Sequence, residues 1–308
     1  MSDTNTVINK SVFNNEIIDI FNKLKSGEKC IVPRQAWKGR GIVICGGGHR
    51  LFANATVTIK MLRHWGCTLP IEWFYADTGE MTADTVDYLQ TQYGVKCYNA
   101  DMVKQFNGFD KRGFQIKPLA LLLSSFEEVI FVDSDNLPLI DPEILFDTDE
   151  YKENGALFWK DYWQYGVNDK HDHDGVKHLH EMLNMPEPPI GEFEFESGQM
   201  VINKVRHYCA LQVVLFMALN KDVFYKLVYG DKDTYRIAWK FCEASYHVID
   251  AKPGVIGFLN KEEKTFKGYG MIQAHPYNFP IWIHMTVHSW EEKKKPWNTM
   301  VTEYNNII

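Results

Sequence analysis

The stretch FQIKPLALLLSSFEEVIFVDSDNLPLIDPEIL, residues 114–145, decides how the rest of the chain is interpreted. Its centre, residues 129–132, is a short β-branched and aromatic run, which is typical of a strand buried on both faces. Asp133, Ser134 and Asp135 follow that run directly. Ligands bind at the carboxyl ends of the strands in an open α/β sheet, so we expect both carboxylates to lie at a ligand-binding edge.

Two explanations fit the Asp-x-Asp pattern on its own. Carboxylate oxygens one residue apart suit a hard divalent ion such as Mg²⁺ or Mn²⁺, which can in turn hold a diphosphate. Short Asp-x-Asp patterns are also common by chance, and Asp and Asn before Pro138 can simply form a turn that ends the strand. The motif alone leaves both open.

The composition excludes several classes of protein. The 308 residues are 45% hydrophobic and 14% aromatic, which argues for a folded α/β domain and against extensive disorder. A net charge of −7 argues against a nucleic-acid partner. The six cysteines include no CxxC pair, so we expect no zinc site. We expect the cysteines to be free thiols in a reducing compartment. The sequence has neither an opening typical of a secretory signal nor a run of about 20 apolar residues, so we expect no membrane span in it.

A strand, a glycine cluster and a helix follow one another early in the chain. Residues 42–45 are apolar, residues 46–48 are glycines, and an amphipathic segment follows. This order is typical of the first unit of a nucleotide-binding α/β domain, although it lacks the G-x-G-x-x-G fingerprint of NAD enzymes. Strands predicted at 71–75 and 95–98, separated by a helix near 82–93, indicate a mainly parallel sheet.

Other polar residues are candidates with two explanations each. Lys117, which begins a helix predicted to reach residue 126, could contact a nucleotide phosphate or be an ordinary solvated lysine. The segment KHDHDGVKHLH, residues 170–180, resembles a metal site in composition, but we expect a polar loop. His284 follows a strand predicted at 281–283 and could be structural or a third metal ligand.

Two polar segments precede apolar runs in the second half of the chain. Residues 196–199, ESGQ, are expected to form a polar tip that leads into a strand at 200–202. The later segment GDKDTYRIAW, residues 230–239, predicts a helix with Asp231 or Asp233 as its N-cap.

Taken in order, these motifs resemble the fungal α-1,3-mannosyltransferase family, which are retaining glycosyltransferases with the GT-A fold. The resemblance covers residues 40 to 290 approximately. The tail is also similar to that of glycogenin and galactosyltransferase-type enzymes, in which a histidine and a later Lys-Pro-Trp close over the diphosphate. The motifs that carry the family resemblance are ICGGGHR, LPIEWFY, residues 113–139, ALFWKDYW, ESGQMVINK, GDKDTYRIAW and IWIH.

The resemblance implies a GT-A fold, with a mainly parallel Rossmann-like central sheet flanked by helices. We expect an N-terminal extension with a docking helix over residues 1–35. A single catalytic domain would follow over 36–308. Its nucleotide-sugar half would span about 40–145 and its acceptor half about 146–300.

The resemblance also implies a role for each candidate residue. Mn²⁺ or Mg²⁺ would be held by Asp133, Asp135 and His284. The nucleotide pocket would be lined by Gly46, Gly47 and His49, with Asp133 also near the ribose. The phosphates or the donor sugar would be contacted by Lys117 and Lys295. The reacting face of the sugar would be surrounded by Glu196, Gln199 and Asp233, with Glu196 as nucleophile or oxocarbenium stabiliser.

We therefore expect transfer of mannose from GDP-mannose to a hydroxyl of a glycan or glycoprotein, with retention. A UDP-glucose, UDP-galactose or UDP-GlcNAc donor is the first alternative, because a few pocket contacts can set donor specificity. A non-catalytic protein that binds a nucleotide sugar or carbohydrate is the second. The fungal enzymes sit in the Golgi, but this sequence predicts no membrane anchor. We therefore expect a cytoplasmic relative, or one from the Golgi lumen if an anchor was removed.

Overall fold

The structure is a computed structural model that describes residues 13–46, 49–76, 81–103, 113–167, 173–228, 230–260 and 265–285. The helices are α1 Phe13–Ser26, α2 His49–His64, α3 Ala83–Tyr93, α4 Ile116–Leu123, α5 Asp149–Asn154, α6 His173–Met182, α7 Tyr208–Leu219, α8 Lys221–Leu227 and α9 Lys232–Phe241. Among these described segments, no helix combines the length and the apolar character needed to cross a bilayer.

The strands form two sheets. They are β1 Arg40–Cys45, β2 Ile71–Tyr75, β3 Val95–Asn99, β4 Glu128–Asp133, β5 Asn136–Pro138, β6 Ala156–Gln164, β7 Phe193–Asn203, β8 His247–Val248, β9 Gly254–Asn260, β10 Thr265–Ala274 and β11 Pro280–His284. The larger sheet has the order β3-β2-β1-β4-β7-β6-β8, and the smaller has the order β5-β11-β10-β9. In the larger sheet β3, β2, β1 and β4 are parallel, and β7 is antiparallel to both of its neighbours. The predicted α/β class with a mainly parallel sheet is confirmed.

The larger sheet lies between two hydrophobic cores. Val129 and Phe131 of β4 pack into one core, whereas Ile130 and Val132 pack into the other, and all four are fully buried. Alternate residues of a strand point to opposite faces, so a strand covered on both sides must be apolar at every position. This explains the continuous apolar run before Asp133.

Helix α1 packs against the first of these cores. Ile17, Phe21 and Leu24 are buried, and the Phe21 ring meets the rings of Phe216 and Phe241 edge-on at 5.3 and 5.5 Å. Such spacing gives α1 one apolar face and buries it against α7.

The smaller sheet brings the end of the described chain back to the Asp-x-Asp motif. Strand β11 pairs antiparallel with β5, and His284 lies opposite Asn136. The amide of Met285 then donates to the carbonyl of Asp135 at 2.9 Å. Two segments far apart in sequence therefore meet at the carboxyl end of β4.

Three local predictions were wrong. The segment predicted as a polar loop at 170–180 contains most of helix α6, whose Val176 and Leu179 are buried. The polar tip predicted at 196–199 lies inside β7. Helix α4 ends at Leu123 rather than residue 126, and the buried Lys204 ammonium donates to the carbonyls of Leu121 and Ser124 at this end.

Candidate active site

Asp133, Asp135 and His284 form a cluster that could hold a metal ion. One ligand atom from each lies within 4.8 Å of the other two. Within the described ranges, no other group of three or more His, Cys, Asp or Glu side chains is this close together. The end of β4 positions Asp133, the β4–β5 connection positions Asp135, and the end of β11 positions His284. Two carboxylates and one imidazole suit Mn²⁺ well and Mg²⁺ less closely.

The surroundings of His284 orient its ring for such a role. Nδ1 of His284 lies 3.4 Å from Oε1 of Glu196, whereas Nε2 lies 3.5 Å from Oδ1 of Asp135. A carboxylate on one ring nitrogen commonly fixes a metal-binding histidine so that the other nitrogen faces the metal. Gly198 leaves the room for this ring, because a Cβ there would lie 2.8 Å from Nδ1. The donor set and its support therefore fit a divalent cation bound through Nε2.

Lys117 lies beside this cluster and is buried, so the explanation as a solvated lysine is wrong. Its ammonium group donates to Asp133 at 2.8 Å and to the hydroxyl of Ser197 at 3.3 Å, and it pairs with Asp231 at 3.3 Å. Burial lowers the pKa of Lys117, but Asp133 and Asp231 outweigh it and raise the pKa overall. A fixed positive charge thus adjoins the predicted metal ligands.

The carboxylates of Asp133 and Glu196 have pKa values shifted in opposite directions. Burial raises the pKa of Asp133 to about 7, because desolvation and the neighbouring Asp135 outweigh the attraction of Lys117. Burial acts in the same direction on Glu196, but His284, Lys232 and the amide of Gly198 lower its pKa to about 2. A divalent cation between Asp133 and Asp135 would favour the ionised form of both side chains. Two carboxylates this close together therefore fit a cation-binding site.

The predicted nucleotide residues are only partly covered by the described structure. Gly46 directly follows Cys45, the last residue of β1 and the partner of Asp133 in the sheet. It has a φ of +136° that favours glycine, and its carbonyl accepts from the Trp73 indole at 2.8 Å. His49 is the first residue of α2, and its side chain is outside the description. Gly47 and Lys295 lie outside the described residues.

Gln199 and Asp233 have other partners in the structure. Gln199 lies in β7 opposite Val132, is fully buried and accepts from the Asn136 amide. Asp233 accepts from Arg236 at 2.9 and 2.6 Å, and both residues are buried. Of the acidic pair, Asp231 contacts Lys117 instead. Asp231 occupies the N-cap position of α9, but its side chain makes no capping hydrogen bond.

Sequence reasoning missed a second group of buried charges. Lys232 pairs with Asp161 and, at 2.7 Å, with Glu194. The signal was present in EFEFES, residues 192–197, where acidic residues alternate as they do on one face of a strand.

The mainly parallel sheet and the acidic cluster at the carboxyl end of β4 define an α/β chain with the arrangement expected of a GT-A glycosyltransferase. The family model described as "Mannosyltransferase putative" matches residues 39–275, and the chain belongs to this mannosyltransferase family.

The relatives found carry α-1,2-mannosyltransferase names. The chain is 28% identical over 280 residues to Alpha-1,2-mannosyltransferase MNN2 of Saccharomyces cerevisiae, covering 79% of this chain and 46% of the relative. It is 30% identical over 295 residues to MNN21 of Candida albicans, covering 79% and 44%. The chain thus spans a little under half the length of these curated relatives. The family-level prediction is confirmed, whereas the α-1,3 specificity is not.

Solved structures with a similar fold are more distant. The mannosyltransferase Ktr4p of S. cerevisiae is 9% identical with a TM-score of 0.41, covering 76% of this chain and 78% of that one. Mouse xyloside xylosyltransferase 1 is 14% identical with a TM-score of 0.46, covering 69% and 85%.

Proposed function

We propose that this chain is a metal-dependent retaining mannosyltransferase that transfers mannose from GDP-mannose to a hydroxyl of a glycan or glycoprotein. The observation that carries the proposal is the Asp133, Asp135 and His284 cluster beside the buried Lys117. The family supports mannose as the sugar. A hard cation next to a buried ammonium group is the environment that a diphosphate leaving group requires.

The residues of the cluster would divide the work as follows. Asp135 and Nε2 of His284 would hold Mn²⁺ or Mg²⁺ directly, and Asp133 would share its carboxylate between the cation and Lys117. When bound, the cation supplies Lewis-acid stabilisation of the diphosphate charge. Lys117 would donate to a phosphate oxygen or to the donor sugar, and Lys295 would do the same from the tail. Gly46, Gly47 and His49 would line the nucleotide pocket.

Glu196 would stabilise the positive charge that develops on the sugar as the diphosphate leaves. Alternatively, it would attack the anomeric carbon and displace the diphosphate, and the acceptor hydroxyl would then lose its proton and displace Glu196. Its low pKa keeps it ionised and makes it a poor general base at neutral pH. Its Oε1 accepts from the Gly198 amide at 2.7 Å and lies 3.4 Å from Nδ1 of His284. We assign Oε2 to the sugar. Gln199 and Asp233 would act behind the reacting face by holding Asn136 and Arg236.

The acceptor half would comprise residues 146–300, and the nucleotide-sugar half residues 40–145. We propose an α-1,2 linkage, because the curated relatives carry that name, in place of the α-1,3 linkage suggested by the motifs. Methylation analysis of the product distinguishes substitution at O2 from substitution at O3 of the acceptor mannose.

The first test is calorimetric. GDP-mannose, UDP-glucose, UDP-galactose and UDP-GlcNAc are titrated with and without Mn²⁺ into the wild type, Asp135→Ala and the exposed control Asp87→Ala. We expect metal-dependent binding of GDP-mannose that Asp135→Ala loses and Asp87→Ala keeps. Binding of a UDP-sugar instead would replace the donor. Absence of metal-dependent binding to any donor would contradict the proposal.

A non-catalytic carbohydrate-binding protein is the alternative from another class. Slow donor hydrolysis that requires Mn²⁺ and disappears in Asp135→Ala is the result we expect from an enzyme. Tight donor binding without hydrolysis or transfer to any mannose acceptor would favour the binding protein.

A further inference from the structure

Strand β7 and helix α9 face each other through two rows of opposite charge, which we call the charge ladder. Its acidic row is Glu192, which directly precedes β7, with Glu194 and Glu196 of β7, and its basic row is Lys232, Arg236 and Lys240. Residues two apart on a strand are separated by about 6.8 Å, and residues four apart on a helix by about 6 Å. The two rows can therefore stay in register over the whole length of α9.

The contacts show that the rows run in opposite directions. Lys240 and Arg236 both pair with Glu192, the latter at 3.2 Å. Lys232, at the start of α9, pairs with Glu194 at 2.7 Å and with Asp161 of β6. The basic row thus begins at the candidate active site and ends away from it.

Glu196 is the acidic residue of the ladder that reaches the site. Its Oε1 accepts from Gly198 at 2.7 Å and lies 3.4 Å from His284, and Lys232 adds electrostatic attraction from the ladder side. Asp161, Glu194 and Glu196 are all less than 10% exposed, so little water screens their mutual repulsion. In the described part of the ladder, Lys232 is the cation that faces all three.

We propose that Lys232 is a positioning residue that fixes the Glu196 carboxylate in its site-facing orientation by neutralising Asp161 and Glu194. This inference rests on the proposed function, in which Glu196 faces the reacting sugar. Without the ammonium group, three buried carboxylates would repel one another, and Glu196 is the one of the three that also contacts His284 in the candidate site. A displacement of about 1 Å at a reacting group can lower a rate about 100-fold.

The test compares equivalent substitutions at the two ends of the ladder. Lys232→Met keeps an unbranched side chain of similar length and removes the charge next to the site. Lys240→Met makes the same change at the far end of the ladder. At saturating Mn²⁺ we expect Lys232→Met to lower kcat about 100-fold, with the donor KM within about 3-fold of wild type; Mn²⁺ affinity should fall as well, because Glu196 supports His284. Lys232→Arg should recover at least about 10-fold, because the charge is restored. Lys240→Met should stay within about 3-fold of wild type.

Several results would overturn the proposal. A folded Lys232→Met variant with kcat within about 3-fold of wild type would do so, as would equal losses in Lys232→Met and Lys240→Met. If Lys232→Met does not fold, the Lys232→Met/Glu194→Gln double variant removes one charge of each sign. Under the proposal its kcat stays low, since Asp161 is still unneutralised and still repels Glu196, and wild-type kcat would refute it.

A crystal structure of the folded variant separates this inference from the proposed function. Failure of the wild type to turn over any donor would remove the proposed function but would leave the orientation of Glu196 measurable. We expect the Oε1 contacts with Gly198 and His284 to lengthen by more than about 1 Å in the variant. An unchanged Glu196 would show that Lys232 does not position it.

Discussion

Replacing Gly198 with alanine should specifically weaken metal binding. The new methyl group would lie 2.8 Å from Nδ1 and 2.9 Å from Cε1 of His284, where ordinary contact begins at 3.4 Å. The imidazole must therefore move by about 0.6 Å, whereas metal–ligand distances tolerate about 0.2 Å. We expect Mn²⁺ affinity to fall about 10- to 100-fold, as it does when the support of a metal ligand is lost.

Mn²⁺ titration calorimetry on the purified variant measures this change. The matched control is Gly254→Ala in β9, where the nearest atom to a new Cβ is 3.4 Å away and the backbone is unstrained. Both variants should melt within a few degrees of the wild type, because alanine is at least as favourable as glycine in a strand interior. Wild-type Mn²⁺ affinity in Gly198→Ala would refute the argument that His284 binds the metal from this position.

Three further predictions concern stability. Gly175→Ala should destabilise the fold by about 1–3 kcal/mol in urea unfolding, because the Cβ would lie 2.2 Å from the Leu227 carbonyl oxygen and force α6 away from α8; a stabilised variant would contradict this packing. Burial lowers the pKa of His207 to about 4, so between pH 6.5 and pH 4 the unfolded chain binds the proton and the folded chain does not. Acidification through that range should therefore remove up to ~3 kcal/mol of stability, and His207→Gln should flatten the slope; equal slopes would be evidence against it. Mn²⁺ at 100 times its Kd should add about 2.7 kcal/mol to the wild type and nothing to Asp135→Ala, as measured by thermal melts.

Much of the fold follows from local pattern. The apolar runs at 42–45 and 129–132 are strands because only a doubly covered strand needs an apolar residue at every position. Helix α6 was missed because histidines and aspartates dominate its composition. Its buried apolar residues at 176, 179 and 182 nevertheless have helical spacing, so the periodicity was the more reliable signal.

The site was less predictable, because its contacts join distant segments. The Asp-x-Asp motif can be read from the sequence, but its closeness to His284 depends on the pairing of β11 with β5, which no local pattern specifies. Lys117 was a candidate with two explanations; its burial against Asp231 excludes the solvated lysine, and contact with a phosphate stays a prediction. Residues 196–199 look like a turn because they are polar, yet they are buried in β7 facing other polar groups.

The pairing of β11 with β5 also bears on the order of folding. Asp133 enters the larger sheet as the last residue of β4, with Asp135 just after it, and the β4 partners β1 and β7 are nearer in sequence than β11 is. His284 joins them only when a strand near the end of the described chain closes a very long loop, and such contacts form late because their entropic cost is large. A partly folded or partly synthesised chain would therefore hold the two carboxylates without the imidazole. Such an intermediate would lack a complete metal site and could not consume donor sugar before the acceptor half had folded.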